Sequence, residues 1–272
     1  MYAPPAQSVV FSLGGSRMCQ ACGFADIIHG SKMRRRAFVF GAAAAGVLTA
    51  VPGANAKAQK SPSKQTKKPS APPKPENVLA PDEALARLME GNKRYQQGLA
   101  RRHDFAAERE ALVGGQNPYA AILSCADSRI APEYAFDSSR GDLFVVRVAG
   151  NVANPYNIAS LEYAVEVLKT PLILVLCHEA CGAVKSAISS IQDHTTLPGH
   201  LPSLVAALTP AVEAVRGRQG DLQENATVEN ARMCATTLET ATPLLSAAVN
   251  EKRVKVVSGI YRLADGRVDL FA

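Results

Sequence analysis

Three residues able to hold a soft-to-borderline metal ion stand at two points of the chain. Cys125 lies in the run SCADSR, and His178 and Cys181 lie in HEACG, which begins 53 positions after that cysteine. Two thiolates and one imidazole suit Zn2+. Three protein ligands leave the fourth tetrahedral position open to water or substrate, the pattern of catalytic rather than structural zinc. Asp127 and Arg129 follow Cys125 closely. A carboxylate there reaches either the metal or a molecule bound to it, and a guanidinium can grip that carboxylate with two parallel hydrogen bonds and hold it off the ion. A purely structural zinc module would commit four ligands and have no need of Arg129.

Short buried strands must carry these ligands. PYAAILSC (118–125) and PLILVLCH (171–178) are apolar runs of the kind buried on both faces of a sheet, and each ends at a candidate ligand. In an open α/β sheet the carboxyl ends of neighbouring strands form the ligand crevice, so Cys125 and His178 are expected to meet there. Cys181 falls in the first turn of a helix expected over Cys181 to about Ile191. The strands are expected over 119–124, 143–148, 172–177 and 254–261, with a helix over 155–169 and helices before the first strand. That alternation predicts an α/β fold with a mostly parallel sheet.

The C-x-D-x-R run together with H-x-x-C-G resembles the paired motifs of the β-class carbonic anhydrases. EALARLMEGNKRY (83–95), GDLFVVRVAGN (141–151), VENAR and VVSGIYRLADGRVDL extend the resemblance over residues 78–272. It implies a four-stranded parallel core in order 2-1-3-4 with an additional C-terminal strand. It also implies a homodimer, in part of the family paired again to a tetramer. One zinc ion per subunit would be held by Cys125, His178 and Cys181, and hydroxide formed on it would convert CO2 to bicarbonate with Asp127 and Arg129 orienting it. In a closed form of the family the aspartate itself ligates the zinc. The resemblance to the plant-like branch adds Gln116, Phe144 and Tyr163 as substrate-pocket residues, the glutamine reaching across the dimer interface. Gly150 and Gly182 are expected to allow close backbone approach near the metal. Two rivals share these residues: a hydrolase of carbonyl sulfide or carbon disulfide, and a non-catalytic zinc protein closed by Asp127.

Charge divides the chain. Residues 1–77 hold eleven Lys/Arg against two Asp/Glu, a net of +9, whereas 78–272 hold nineteen against twenty-two, a net of −3. The basic balance therefore belongs to the leader, and the folded part offers no compositional basis for nucleic-acid binding. Met33-Arg34-Arg35-Arg36 followed by AFVFGAAAAGVLTAV and PGANAKA has the three regions of a secretory signal of twin-arginine type over 33–56, which implies a periplasmic or otherwise exported protein. The apolar stretch is short for a spanning helix, so no stable membrane insertion is expected once it is removed. Residues 57–77 are rich in Lys, Pro and Ser and read as a disordered linker. Residues 1–32, with Cys19 and Cys22, read as a non-native upstream extension if translation starts at Met33.

Two positions depart from the resembling pattern. Cys177 stands where glycine is usual before the metal histidine, and Val148 where asparagine is common after Arg147. On a strand Cys177 points away from the face of His178, so core filling is its expected role. Cys234 is expected to be a buried hydrophobe on a helix. His29, His103, His194 and His200 fall in no ligand motif, and His103, among charged neighbours, is expected to be solvated. The absence of Trp disfavours the accessory bicarbonate pocket of some bacterial relatives.

Overall fold

The computed structural model describes residues 78–271. The expected leader, linker and upstream extension, with Cys19, Cys22 and His29, lie outside them. The chain order is α1 (Pro81–Gln96), α2 (Phe105–Leu112), β1 (Ala120–Ser124), α3 (Pro132–Ala135), β2 (Leu143–Arg147), a 3-10 turn (Ala149–Asn151), α4 (Pro155–Glu166), β3 (Leu172–His178), α5 (Gly182–Gln192), α6 (Leu201–Val215), α7 (Leu222–Thr240), α8 (Leu244–Asn250), β4 (Lys255–Tyr261) and β5 (Val268–Phe271). The five strands form one sheet in order β2-β1-β3-β4-β5. The first four are parallel, and β5 closes the edge antiparallel to β4. The expected α/β architecture and strand order are observed, with boundaries shifted by a few residues.

β1 and β3 are buried throughout, as their unbroken apolar runs require. Alternation along β3 sends Ile173, Val175 and Cys177 to one face, beneath α4, α7 and α8. Leu172, Leu174 and Leu176 go to the other, beneath α1 and α3. Cys177 is therefore core filling, as expected, and its thiol donates to the Gly259 carbonyl at 3.4 Å. Cys234 is buried on α7 in the same core. α4 ends at Glu166, short of the expected 169, because Lys169 turns the chain through positive φ (58°) into β3.

α1 starts with Pro81 in its first turn, and the Glu83 carboxylate accepts the Ala80 amide at 3.0 Å. It buries Ala84, Leu88, Gly91 and Asn92, one stripe at helical spacing. A Cβ at Gly91 would overlap the Phe136 carbonyl oxygen, so only glycine allows α1 to lie against the segment after α3. Asn92 fastens the two ends of the described region. Its Nδ2 donates to the Ala135 and Gly266 carbonyls at 2.9 and 2.8 Å, and its Oδ1 accepts the Val268 amide at 3.0 Å. No helix among the described residues is long and apolar enough to cross a membrane.

Candidate metal centre

β1 and β3 are adjacent and parallel, so the residues that follow or close them emerge together at the carboxyl end of the sheet. Cys125 follows β1 directly, His178 is the last residue of β3, and Cys181 caps the N-terminus of α5 rather than lying in its first turn. The ligand atoms of Cys125, His178 and Cys181 all lie within 4.8 Å of one another, and the two sulfurs are 4.0 Å apart. All three are buried: 4%, 0% and 1% of their surface is exposed.

The imidazole makes the argument for a metal. His178 Nδ1 donates to the Glu179 carbonyl at 2.8 Å, which fixes the tautomer and leaves Nε2 facing the sulfurs. That Nε2 is buried and has no hydrogen-bond partner. A buried polar atom left without a partner is costly, and a cation between Nε2 and the two sulfurs would satisfy it. The donor set is that of a soft-to-borderline tetrahedral ion, and it fits.

The site is poised to be anionic. The Cys181 thiol donates to Cys125 and, against the burial penalty, lowers the Cys125 pKa below the ordinary thiol value. The same contact, with burial, pushes Cys181 up, although the amides of Val184 and Ala183 at the start of α5 oppose it. Gly150 adds its amide to Cys125 Sγ at 3.4 Å. Gly150 has positive φ (70°), and a Cβ there would come within 3.1 Å of Leu208, so its close-approach role is observed. Gly182 differs from expectation: a Cβ would meet nothing within 4 Å, so close packing does not require glycine there.

Asp127 and Arg129 form the expected fork. Arg129 Nε donates to Oδ1 at 2.9 Å and Nη2 to Oδ2 at 2.7 Å, and the Arg129 amide adds a third bond to Oδ1 at 2.9 Å. The guanidinium holds the Asp127 carboxyl well below the ordinary carboxylate range. Asp127 Oδ2 stands 3.8 Å from His178 Nε2, beside the ligand cluster. Arg129 Nη2 also reaches the Ala180 carbonyl at 3.2 Å, joining the two halves of the site.

The substrate-pocket candidates are not brought to these ligands by one chain. Phe144 and Tyr163 meet each other, ring centroids 6.2 Å apart, with Tyr163 46% exposed. Phe144 pairs in register with Ala121, four residues before Cys125, or about 13 Å back along the strand direction. Gln116 is exposed in the loop before β1, at the opposite end of that strand from the metal ligands. His194 and His200 are exposed. His103 is not solvated: it is half-buried, its Nδ1 3.0 Å from Glu108 Oε1 and 3.3 Å from Ser139 Oγ. The fold returns Glu108 and Ser139 to it, which a list of neighbouring charges does not reveal.

Several residues that build the site escaped the sequence reading. Arg147 donates to the carbonyls of Cys125, Asp127 and Ile130 at 3.0, 2.7 and 2.8 Å, pinning the whole 125–130 loop. Asn230 donates to the Gly150 carbonyl at 2.8 Å, and Gln223 to that of Cys181 at 3.0 Å. Their only sequence signal is polarity on otherwise packed elements.

The carbonic anhydrase family model matches residues 120–268. Carbonic anhydrase 2 of Mycobacterium tuberculosis is 38% identical over 197 residues, covering 70% of this chain and 92% of that protein. The solved β-carbonic anhydrase CcaA is 30% identical with a TM-score of 0.54, over 69% of this chain and 95% of that one. A tetrameric β-carbonic anhydrase of Sordaria macrospora shares the fold at 24% identity and a TM-score of 0.55, over 70% and 93% of the two chains. With the motifs, the sheet order and the Cys-His-Cys cluster in place, the chain belongs to the β class of the carbonic anhydrase family.

Proposed function

We propose that this protein interconverts CO2 and water with bicarbonate and a proton, using a Zn2+ ion held by Cys125, His178 and Cys181. The observation that carries this reading is the buried, unpartnered His178 Nε2 facing two cysteine sulfurs, with a carboxylate held beside them. Bound zinc supplies Lewis acidity, lowering the pKa of a water molecule so that it can attack CO2 near neutral pH. Asp127 accepts a hydrogen bond from the O–H of the attacking oxygen and turns its lone pair towards the carbon. Arg129 occupies both oxygens of Asp127, which keeps the carboxylate oriented and supports an open site over one closed by Asp127. Two anionic sulfurs make the ion less electrophilic than three imidazoles would, so activity is expected to rise into the alkaline range.

Phe144, Tyr163 and Gln116 are proposed to complete the pocket of a second copy, the two rings as an apolar wall and the amide as a donor to bicarbonate. The exposure of Gln116 and Tyr163, and the distance of Gln116 and Phe144 from the chain's own ligands, support a homodimer, with the tetramer reported for the Sordaria enzyme as a further step. Residues 33–56 are proposed to direct export. N-terminal sequencing of the mature protein from a periplasmic fraction tests this, and a native mature chain that still contains Met33 would exclude it.

The deciding experiment is stopped-flow CO2 hydration between pH 6.5 and 9 on protein of measured zinc content. The expected result is activity proportional to zinc and increasing with pH. Zinc-replete protein inactive at every pH would favour a non-catalytic zinc protein. Faster turnover of carbonyl sulfide than of CO2 by the same preparation would favour the hydrolase.

A further inference from the structure

The turn from His178 to Cys181 carries two of the three metal ligands, and its backbone is strained. Ala180 has φ of 51°, a left-handed conformation that a residue with a Cβ adopts only when its surroundings impose it. Three sets of contacts impose it. Gln223 holds the Cys181 carbonyl from α7, and Arg129 holds the Ala180 carbonyl from the opposite loop. The third set lies outside the metal cluster. The Glu179 carboxylate accepts Arg262 Nη1 at 2.9 Å through Oε1 and the Leu263 amide at 2.8 Å through Oε2. The Glu179 amide donates to the Tyr261 carbonyl at 3.1 Å, extending the pairing of β3 with β4 past His178.

Arg262 is itself held by two further carboxylates. Its Nη1 also meets Glu224 Oε1 at 2.8 Å in the first turn of α7, and its Nε meets Asp269 Oδ2 at 2.8 Å on β5. With only 24% of its side chain exposed, the guanidinium ties the ends of β3, β4 and β5 to the start of α7, the helix whose Gln223 grips Cys181. Glu179 is also the residue whose carbonyl orients His178. One ion pair thus sets the tautomer partner of the histidine, the path of the chain to Cys181 and the carbonyl on which Arg129 rests.

We propose that Glu179 and Arg262 form a positioning pair for the metal centre, acting through the 178–181 turn and touching neither metal nor substrate. This rests on the zinc reading above. The pair holds Nε2 and the Cys181 sulfur at the separation the ion requires, so its loss weakens metal retention and the catalytic step more than it weakens the fold.

The test uses the full chain with Glu179→Gln, Glu179→Ala, Arg262→Met and the double variant Glu179→Ala/Arg262→Met. Zinc affinity is measured by competition with a chromogenic chelator, thermal melting on the same samples, and kcat and KM separately. A support residue of this kind is expected to change zinc affinity by about 10- to 100-fold. The double variant is expected to lose no more than the worse single variant, since the two residues act as one unit. Glu179→Gln, which keeps the volume and the acceptor for Leu263, is expected to lie between wild type and Glu179→Ala. kcat should fall with KM nearly unchanged. Amide exchange over 178–181 in the zinc-free protein should quicken in every variant.

Unchanged zinc affinity and kcat with a lowered melting temperature would overturn the proposal and leave the pair a structural tie. Independent, additive losses in the double variant would also overturn it. A wild-type chain that binds no zinc would overturn the zinc reading, and the pair's part in it, while exchange in the zinc-free protein still reports whether the pair orders the turn.

Discussion

The two ends of the sheet differ in completeness. At the carboxyl ends of β1 and β3, one chain supplies every ligand, fixes the imidazole through Glu179 and holds Asp127 on Arg129. Towards the other end, Gln116 is exposed, and Phe144 and Tyr163 form a half-exposed aromatic pair on and beside the edge strand β2. The first region has the carbonyls of its loops held by its own side chains and leaves His178 Nε2 as the atom a metal would satisfy. The second has chemistry without an object. The metal centre can thus be assembled by one protomer, whereas the substrate wall needs a second surface.

The largest effect that would break this contrast lies at the ligands. Cys125→Ser or His178→Ala should lose zinc and CO2 hydration together, measured as metal per chain and stopped-flow rate, because two remaining ligands cannot hold the ion. Retention of full activity in either would remove the self-sufficient end altogether. Next, Asp127→Ala should keep its zinc yet lose about 100-fold or more in kcat, the scale on which positioned proton acceptors act. A loss confined to KM would place Asp127 in binding instead.

The contrast sharpens at Gln116. Gln116→Ala should cost about 10-fold in kcat/KM, the worth of one hydrogen bond to a charged group. Mixing Gln116→Ala chains with zinc-free Cys125→Ser chains should then restore part of the activity, because a mixed dimer holds one intact site. No gain on mixing would mean that Gln116 serves its own protomer or none.

The smallest effect belongs to a residue away from both regions. Burial alone would raise Asp137, but Arg94 Nε at 2.6 Å and the Arg101 amide at 2.8 Å outweigh it, and its carboxyl sits below the ordinary value. A lowered folded pKa contributes stability that is present above the unfolded value near 4 and is lost as pH falls through the folded one. Asp137→Asn, which tolerates the positive φ of 43° at this position, should destabilise by about 1–3 kcal/mol at pH 7 without changing kcat. The difference in melting temperature from wild type should shrink as the pH falls below about 4.

The ligands and strands were legible because each is announced locally. An apolar run ending in Cys or His gives both the element and the place where its last side chain emerges. The opposite directions of Cys177 and His178 follow from strand alternation alone, and the structure has them so. Arg147, Asn230, Glu179 and Arg262 were not legible, because each works on a partner that the fold alone brings to it. Glu179 and Arg262 are 83 residues apart and meet only because β3 and β4 are neighbours. Gly182 failed for a different reason: its closeness to Cys181 in sequence suggested a packing need that the open space beside it does not bear out.

Asn92 sets an order of events for a newly made chain. Its partners at Gly266 and Val268 lie 174 and 176 residues further on. At cellular synthesis rates the ribosome needs roughly 10 to 35 s to reach them. Until then Asn92 can hold only the Ala135 carbonyl, and Leu88 waits without the β5 end of its core. The nascent protein therefore cannot finish folding as it emerges. The hold on α1 is complete only once residues 266–268 are in place, and a chain cut before Gly266 would lose both of these bonds.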